Sequence, residues 1–224
     1  MDTLAFAFEN KTIRIFVPQN PSASLTAVYC CCGEMTGEKA EKIFALSGKT
    51  DFCLVSFLPV TWENDYTPWP ALSPYGGMFG GKAADTLDLF SSLIPVISEK
   101  LDIHKNTVLG YSLGGLMALW SMYESDIFSA CACCSGSLWY DGFTDYAKKN
   151  RPHPGSGIYL SLGKSEHKTK NMKIKLVSDC TAAVYDLLKA DSNVFKTMYV
   201  QNEGGHFSDI EKRLSLGIQF LTES

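Results

Sequence analysis

Hydrophobic and polar residues alternate over two short segments near the start of the chain, Leu4 to Phe8 and Thr12 to Val17, and the turn-prone Asn10-Lys11 between them predicts an antiparallel hairpin. After a loop from Pro18 to Ser24 the pattern changes to short apolar runs separated by stretches of helical periodicity, the signature of a mostly parallel sheet covered on both faces. Buried strands are expected over Leu25 to Cys32, Phe52 to Leu58, Thr107 to Leu109, Phe128 to Cys134, Ile158 to Leu162 and Phe195 to Val200. Helices are expected over Gly37 to Leu46, Ala83 to Leu101, Leu113 to Tyr123, Lys175 to Lys189 and Ser208 to Leu221. The last of these opens on the capping-box pattern Ser208-Asp209-Ile210-Glu211 and carries Ile210, Leu214, Ile218 and Leu221 on one face. No internal repeat or linker breaks the series, so residues 1–224 read as one α/β domain built on an eight-stranded sheet. The longest stretch without periodicity, Pro59 to Lys82, holds Trp62, Tyr66, Trp69, Tyr75 and Phe79 among Pro and Gly residues, and a loop of that length in a compact domain usually serves function. Its aromatic side chains can hold the loop down, wall a pocket, or do both.

Composition narrows the partners. With 46% apolar and 20% charged residues in 224, the chain has ample material for a core, which excludes disorder, collagen and coiled coil. A net charge of -4 provides no global basic field, so neither nucleic acid nor an anionic membrane is an expected partner. No apolar run approaches the ~18 residues of a membrane span, and Met1-Asp2-Thr3 lacks the basic start of a secretion signal. Of the eight cysteines, Cys30, Cys31 and Cys32 are consecutive and Cys131, Cys133 and Cys134 crowd together, all within apolar runs. Neither cluster has the spaced pairs of a zinc site or a disulfide framework, so they read as small hydrophobes in a reducing, cytoplasmic protein that binds no metal or cofactor. Oligomeric state leaves no trace in the sequence.

The chemistry concentrates at Gly110-Tyr111-Ser112-Leu113-Gly114, a Gly-x-Ser-x-Gly pattern with the strand Thr107-Val108-Leu109 before it and an almost wholly apolar helical segment after it. That is the setting of a nucleophile elbow, in which a strand turns sharply into a helix and holds a serine hydroxyl exposed. A serine hydroxyl is a weak nucleophile near neutral pH, so a base must take its proton and a carboxylate must orient that base. There are four histidines. His104 lies on the connection entering the elbow strand, His153 sits between two prolines, and His167 adjoins a candidate acid. His206, in Gly204-Gly205-His206-Phe207, follows the last strand and precedes the last helix, where loops emerge at the carboxyl end of the sheet, and it is the expected base. Chain order places the acid between Ser112 and His206, after the next-to-last strand, where Glu166 is the first carboxylate available. Asp179, inside the following helix, and Asp209, at the start of the last one, are the weaker alternatives. An oxyanion hole needs two backbone N–H groups: Leu113, next to the nucleophile, supplies one, and the end of the third strand, at Cys32, is the expected source of the other.

With these features the sequence resembles the α/β-hydrolase-fold esterases of the group related to enterochelin esterase and esterase D. Thr67-Pro68-Trp69-Pro70, Ser135-Gly136-Ser137-Leu138-Trp139, Ser161-Leu162-Gly163 running to Glu166, and Gly205-His206-Phe207 carry the resemblance in order over nearly the whole chain. It implies a serine esterase acting on a small-molecule ester through Ser112, Glu166 and His206, with Trp62, Trp69, Tyr111 and Trp139 facing the substrate. Two departures limit the substrate. Related siderophore esterases carry an arginine where this chain reads Glu63-Asn64-Asp65-Tyr66, so an arginine clamp on an anionic substrate is not supported. The segment between the sixth and seventh strands is too short for a large cap domain, which predicts an open, shallow site. The basic run Lys164, Lys168, Lys170, Lys173, Lys175 reads as a solvated face. The rival readings are a hydrolase-fold protein that binds a small ligand without catalysis, and metal or redox chemistry at the cysteines.

Overall fold

In the computed structural model, which describes residues 1–22 and 24–223, the chain forms β1 (Asp2–Phe8), β2 (Lys11–Val17), β3 (Leu25–Cys31), α1 (Gly37–Ser47) and β4 (Phe52–Leu58). There follow α2 (Trp62–Asp65), β5 (Pro70–Leu72), β6 (Met78–Gly80), α3 (Ala83–Ser98), β7 (Ile103–Tyr111), α4 (Leu113–Glu124) and β8 (Ala130–Cys134). The remainder is α5 (Phe143–Lys149), β9 (Ser156–Gly163), a 3-10 turn (Ile174–Leu176), α6 (Val177–Ala190), β10 (Val194–Asn202) and α7 (Ile210–Thr222). Eight strands form one sheet in the order β1-β2-β4-β3-β7-β8-β9-β10. The hairpin β1–β2 joins it antiparallel through β2 and β4, and every pair from β4 to β10 is parallel.

Alternation along the strands fills two apolar layers. On β3, Ala27, Tyr29 and Cys31 point into the layer beneath α3 and α4, while Val28 and Cys30 point into the opposite layer with Ile43 of α1 and Leu214 and Ile218 of α7. On β8, Cys131 and Cys133 take the first layer and Ala132 and Cys134 the second. Small side chains at these central strands let helices on both faces approach the backbone, which accounts for the cysteine runs. All eight cysteines are free, and among the described residues no His/Cys/Asp/Glu group could hold a metal ion. Burial pushes the thiols of Cys53 and Cys134 up to about 12. Burial pushes the Cys32 thiol well up too, and its sulfur donates to Leu109 O at 3.8 Å, so in native protein only the half-buried Cys180 is expected to react with a disulfide reagent without delay, the other thiols appearing only on unfolding. Prompt reaction of more than one thiol in a time-resolved titration would contradict this packing.

Several expectations need correction. Pro59 to Lys82 is not irregular throughout: it holds α2 and the two-stranded hairpin β5–β6, in which Ala71 pairs with Phe79 and both are buried. β7 starts at Ile103, earlier than its apolar run, because its first residues pair with Leu25 to Ala27 at the partly exposed end of the sheet. The segment between β8 and β9 contains the unpredicted α5, anchored by buried Phe143 and Ala147. The capping box of the last helix does not form. Ser208 Oγ instead accepts the Gly205 N–H at 3.1 Å, and α7 begins after Asp209 (φ 50, ψ 44), whose side chain makes no cap hydrogen bond. No helix among the described residues is long and apolar enough to cross a membrane.

Candidate active site

Ser112 stands between β7 and α4 with φ 58 and ψ -121, a positive-φ conformation that costs a non-glycine residue strain and persists only where the surroundings impose it. Here the constraint is close packing by the motif's own glycines. A Cβ on Gly110 would lie 1.9 Å from Gly114 O, and one on Gly114 would lie 1.6 Å from Cys31 O, so neither position admits a side chain. Backbone bonds hold the turn from both sides: the Ser112 N–H donates to Cys134 O at 3.2 Å, and the Ser137 N–H donates to Ser112 O at 3.0 Å.

His206, on the loop after β10, and Glu166, on the turn after β9, meet this serine. His206 Nε2 lies 3.1 Å from Ser112 Oγ and its Nδ1 lies 2.7 Å from Glu166 Oε2. A carboxylate only accepts, so Nδ1 carries the proton and Nε2 is left as an acceptor for the serine hydroxyl. The imidazole is 29% exposed and the Glu166 side chain 2%. The second carboxylate oxygen, Oε1, accepts from the Gly163 N–H (2.6 Å), the Ser135 hydroxyl (2.8 Å) and Arg213 Nη1 (2.8 Å). Burial drives the Glu166 carboxyl towards its neutral form, but donors from His206, Gly163 and Ser135 favour the anion more and hold it below the ordinary carboxylate range.

The other candidates lie elsewhere. His104 Nε2 sits 3.5 Å from Thr26 Oγ1, His153 faces Asp126 at 3.7 Å, and His167 lines a separate cavity together with Asp179. Asp209 only precedes α7.

Leu113 and Cys32 both line a cavity of about 390 Å³ that opens on Ser112 and His206. Leu113 is the first residue of α4, where an N–H has no intrahelical acceptor. Met35, Ile43, Trp62, Phe79, Trp139 and Leu214 make this cavity largely apolar. A second cavity of about 330 Å³ shares Ser112, Ser137, Trp139 and His206 but is walled by Lys168, Thr169 and Asn171. Ser112 thus lies where an apolar and a more polar compartment join, with Trp62 of α2 and Phe79 of β6 on the wall of the first. Of the aromatic residues expected to face substrate, Trp62, Tyr111 and Trp139 line the apolar cavity. Trp69 does not: its indole N–H donates to Asp141 O at 2.9 Å and its ring packs on Tyr140 and Tyr146, so it fastens the aromatic loop to the segment before α5. Tyr111 also holds the histidine loop, its hydroxyl donating to His206 O at 2.6 Å.

Sequence reasoning missed Ser135, Ser137 and Arg213. Ser137 Oγ lies 3.4 Å from Ser112 Oγ, and Ser135 reaches Glu166 from a positive-φ backbone (φ 46). Arg213 looks like one more charge in Glu211-Lys212-Arg213, yet it stands three residues after Ile210, which puts it beside the apolar stripe of α7, and it is 1% exposed. An arginine at core spacing was the available signal.

Comparison with known proteins agrees with this architecture. The chain is 26% identical over 196 residues to the uncharacterized protein YbbA of Bacillus subtilis (strain 168), covering 80% of this chain and 78% of that one. Its fold superposes on an IroE-like serine hydrolase from Shewanella oneidensis with a TM-score of 0.82 at 21% identity, covering 97% of this chain and 79% of that one. It also superposes on the siderophore hydrolase EstA from Aspergillus nidulans with a TM-score of 0.73 at 19% identity, covering 98% and 93% of the two chains. The fold is that of the α/β-hydrolases. Residues 9–206 match the family described as "Putative esterase", and the chain belongs to that family of hydrolases.

Proposed function

We propose that this protein is a serine esterase that cleaves a small-molecule carboxylic ester through an acyl-enzyme. The observation that carries the reading is the unbroken relay from Ser112 Oγ through His206 to the buried Glu166, at 3.1 and 2.7 Å, opening on a cavity lined by Leu113 and Cys32. Ser112 Oγ attacks the ester carbonyl while His206 Nε2 takes its proton, and the oxyanion that forms accepts from the Leu113 and Cys32 N–H groups. The C–O bond to the alcohol then breaks, and the alcohol leaves with the proton held on Nε2. Water repeats the sequence on the acyl-enzyme, releasing the acid and restoring Ser112. Glu166 keeps the imidazole in the required tautomer and stabilises its charged form. Trp62, Tyr111 and Trp139 supply the apolar wall against which a substrate group packs. The free thiols fit a reducing compartment such as the cytoplasm.

A fluorophosphonate probe tests this reading. Wild-type protein is expected to acquire one label, visible as a single mass increment, and Ser112→Ala none; equal labelling of the two would sink the proposal and leave a ligand-binding protein on the same fold. A substrate panel then addresses the leaving and acyl groups. It should include aryl and alkyl esters, a thioester and an ester-linked siderophore, since EstA hydrolyses siderophores.

A further inference from the structure

Beside the proposed triad lies a buried charge that takes no part in moving the proton. Arg213, in the first turn of α7, is 1% exposed. Its Nη1 donates to Glu166 Oε1 (2.8 Å), Ser135 Oγ (2.8 Å) and the Tyr111 hydroxyl (3.2 Å), and its Nη2 donates to the carbonyls of Glu203 (2.9 Å) and Gly205 (2.8 Å). These acceptors belong to the end of β7, the turn after β8, the turn after β9 and the loop after β10. The planar fork of a guanidinium reaches such a set; a lysine ammonium on a single axis does not. Both hydroxyls pass the interaction on, because Ser135 donates to Glu166 and Tyr111 donates to His206 O. The group that carries the base and the group that carries the acid are therefore tied to one cation.

Glu166 consequently serves two partners, Arg213 on Oε1 and the imidazole on Oε2. Were the carboxylate held only by neutral donors, its whole charge would act on the imidazole and favour the imidazolium at rest. We propose that Arg213 is a positioning residue that clasps the acid loop to the histidine loop and, by sharing Glu166, takes up part of the carboxylate's charge that would otherwise act on the imidazole alone. This rests on the serine esterase reading.

The other charged or titratable groups facing the site are poorly placed to do the same. Lys164 pairs with Glu203 across the two loops, with the two side chains 51% and 81% exposed. Glu211 of α7 pairs with Lys42 of α1. Glu34 and Lys39 stand at the wall of the apolar cavity and Lys168 at that of the polar one, all solvent-exposed, where water and salt screen them. From β8, the Cys134 thiol donates to Arg213 O at 3.6 Å, and burial keeps it protonated.

The test is the rate constant of fluorophosphonate inactivation from pH 5 to 9 for wild type, Arg213→Gln and Arg213→Lys. The acid limb of this profile marks protonation of the general base. Removing the cation leaves all of Glu166's charge to the imidazole, so the acid limb of Arg213→Gln should lie at higher pH than that of wild type, by about one unit. Arg213→Lys keeps the charge but loses the fork: its limb should stay in place while its rate drops roughly tenfold at every pH. Coincident limbs in wild type and Arg213→Gln would overturn the proposal, since loosened loops alone lower a rate without moving its pH dependence. If Arg213→Gln fails to fold, Arg213→Lys decides, and a rate within about twofold of wild type would overturn the clasp. Absence of labelling in wild type itself marks failure of the esterase reading; labelled wild type with unmoved limbs marks failure of the Arg213 proposal alone.

Discussion

His206→Ala is expected to lower kcat/KM on a simple aryl ester by about 10⁶, and Ser112→Ala by a similar factor, because in the proposed mechanism nucleophile and base act as one unit. The relay geometry is the reason: Nε2 lies 3.1 Å from Ser112 Oγ, and the Ser137 hydroxyl at 3.4 Å is no base, so without the imidazole the hydroxyl stays protonated and unreactive. The double variant Ser112→Ala/His206→Ala should be no slower than either single one. Glu166→Ala should cost less, about 10⁴, since a neutral imidazole can still reach the serine without being held in one tautomer. Steady-state kinetics on the purified variants check all four. Losses that simply add in the double variant, or a His206→Ala enzyme within tenfold of wild type, would show that the proton takes another route.

The second large effect falls on stability. Gly114→Ala would set a methyl group 1.6 Å from Cys31 O and 2.7 Å from Cys31 C, both backbone atoms of the sheet's centre that no rotamer change can move aside. Either α4 lifts from β3 or the elbow distorts. A loss of about 3–5 kcal/mol is expected, equivalent to a fall of roughly 6–20 °C in Tm for a domain of this size. Gly37→Ala is the matched control: it lies in the first turn of α1, and a Cβ there meets only the flexible Met1 Cε at 3.9 Å. That substitution should stabilise by about 0.5–1 kcal/mol through a less flexible unfolded chain. Thermal denaturation of both variants decides the matter, and a Gly114→Ala protein melting with wild type would mean that the elbow packs otherwise.

How much of this was legible depended on whether a feature is local. The elbow could be read because strand, glycines and helix are consecutive, and the sterics that require Gly110 and Gly114 act over a few residues except for the approach of Cys31. The order of Ser112, Glu166 and His206 could be read because each follows a strand with a clear apolar run. The hairpin β5–β6 could not, since strands of three residues containing Pro70 and Gly80 show no periodicity and are held by contacts from the buried face. Ser208 and Glu211 match the letters of a capping box, but the serine hydroxyl is taken by Gly205 N–H, a bond no pattern encodes. Trp69 and Trp139 look equivalent in the sequence; only the direction of each side chain separates a fastening from a cavity wall. Arg213 shows the same limit, because what it binds comes from loops spread over half the chain.

That dispersion has a consequence for biosynthesis. Chains emerge from the ribosome N-terminus first, so the strand and elbow bearing Ser112 are made and can begin to pack well before the histidine loop or α7 exists. Until α7 docks, Glu166 lacks the guanidinium that neutralises it, and the second apolar layer over Cys30 and Cys134 lacks Leu214 and Ile218. Under the proposed esterase mechanism, a nascent chain therefore carries Ser112 before it has His206 or Arg213. On the proposed reading, labelling of Ser112 is expected only after the final helix has closed over the sheet.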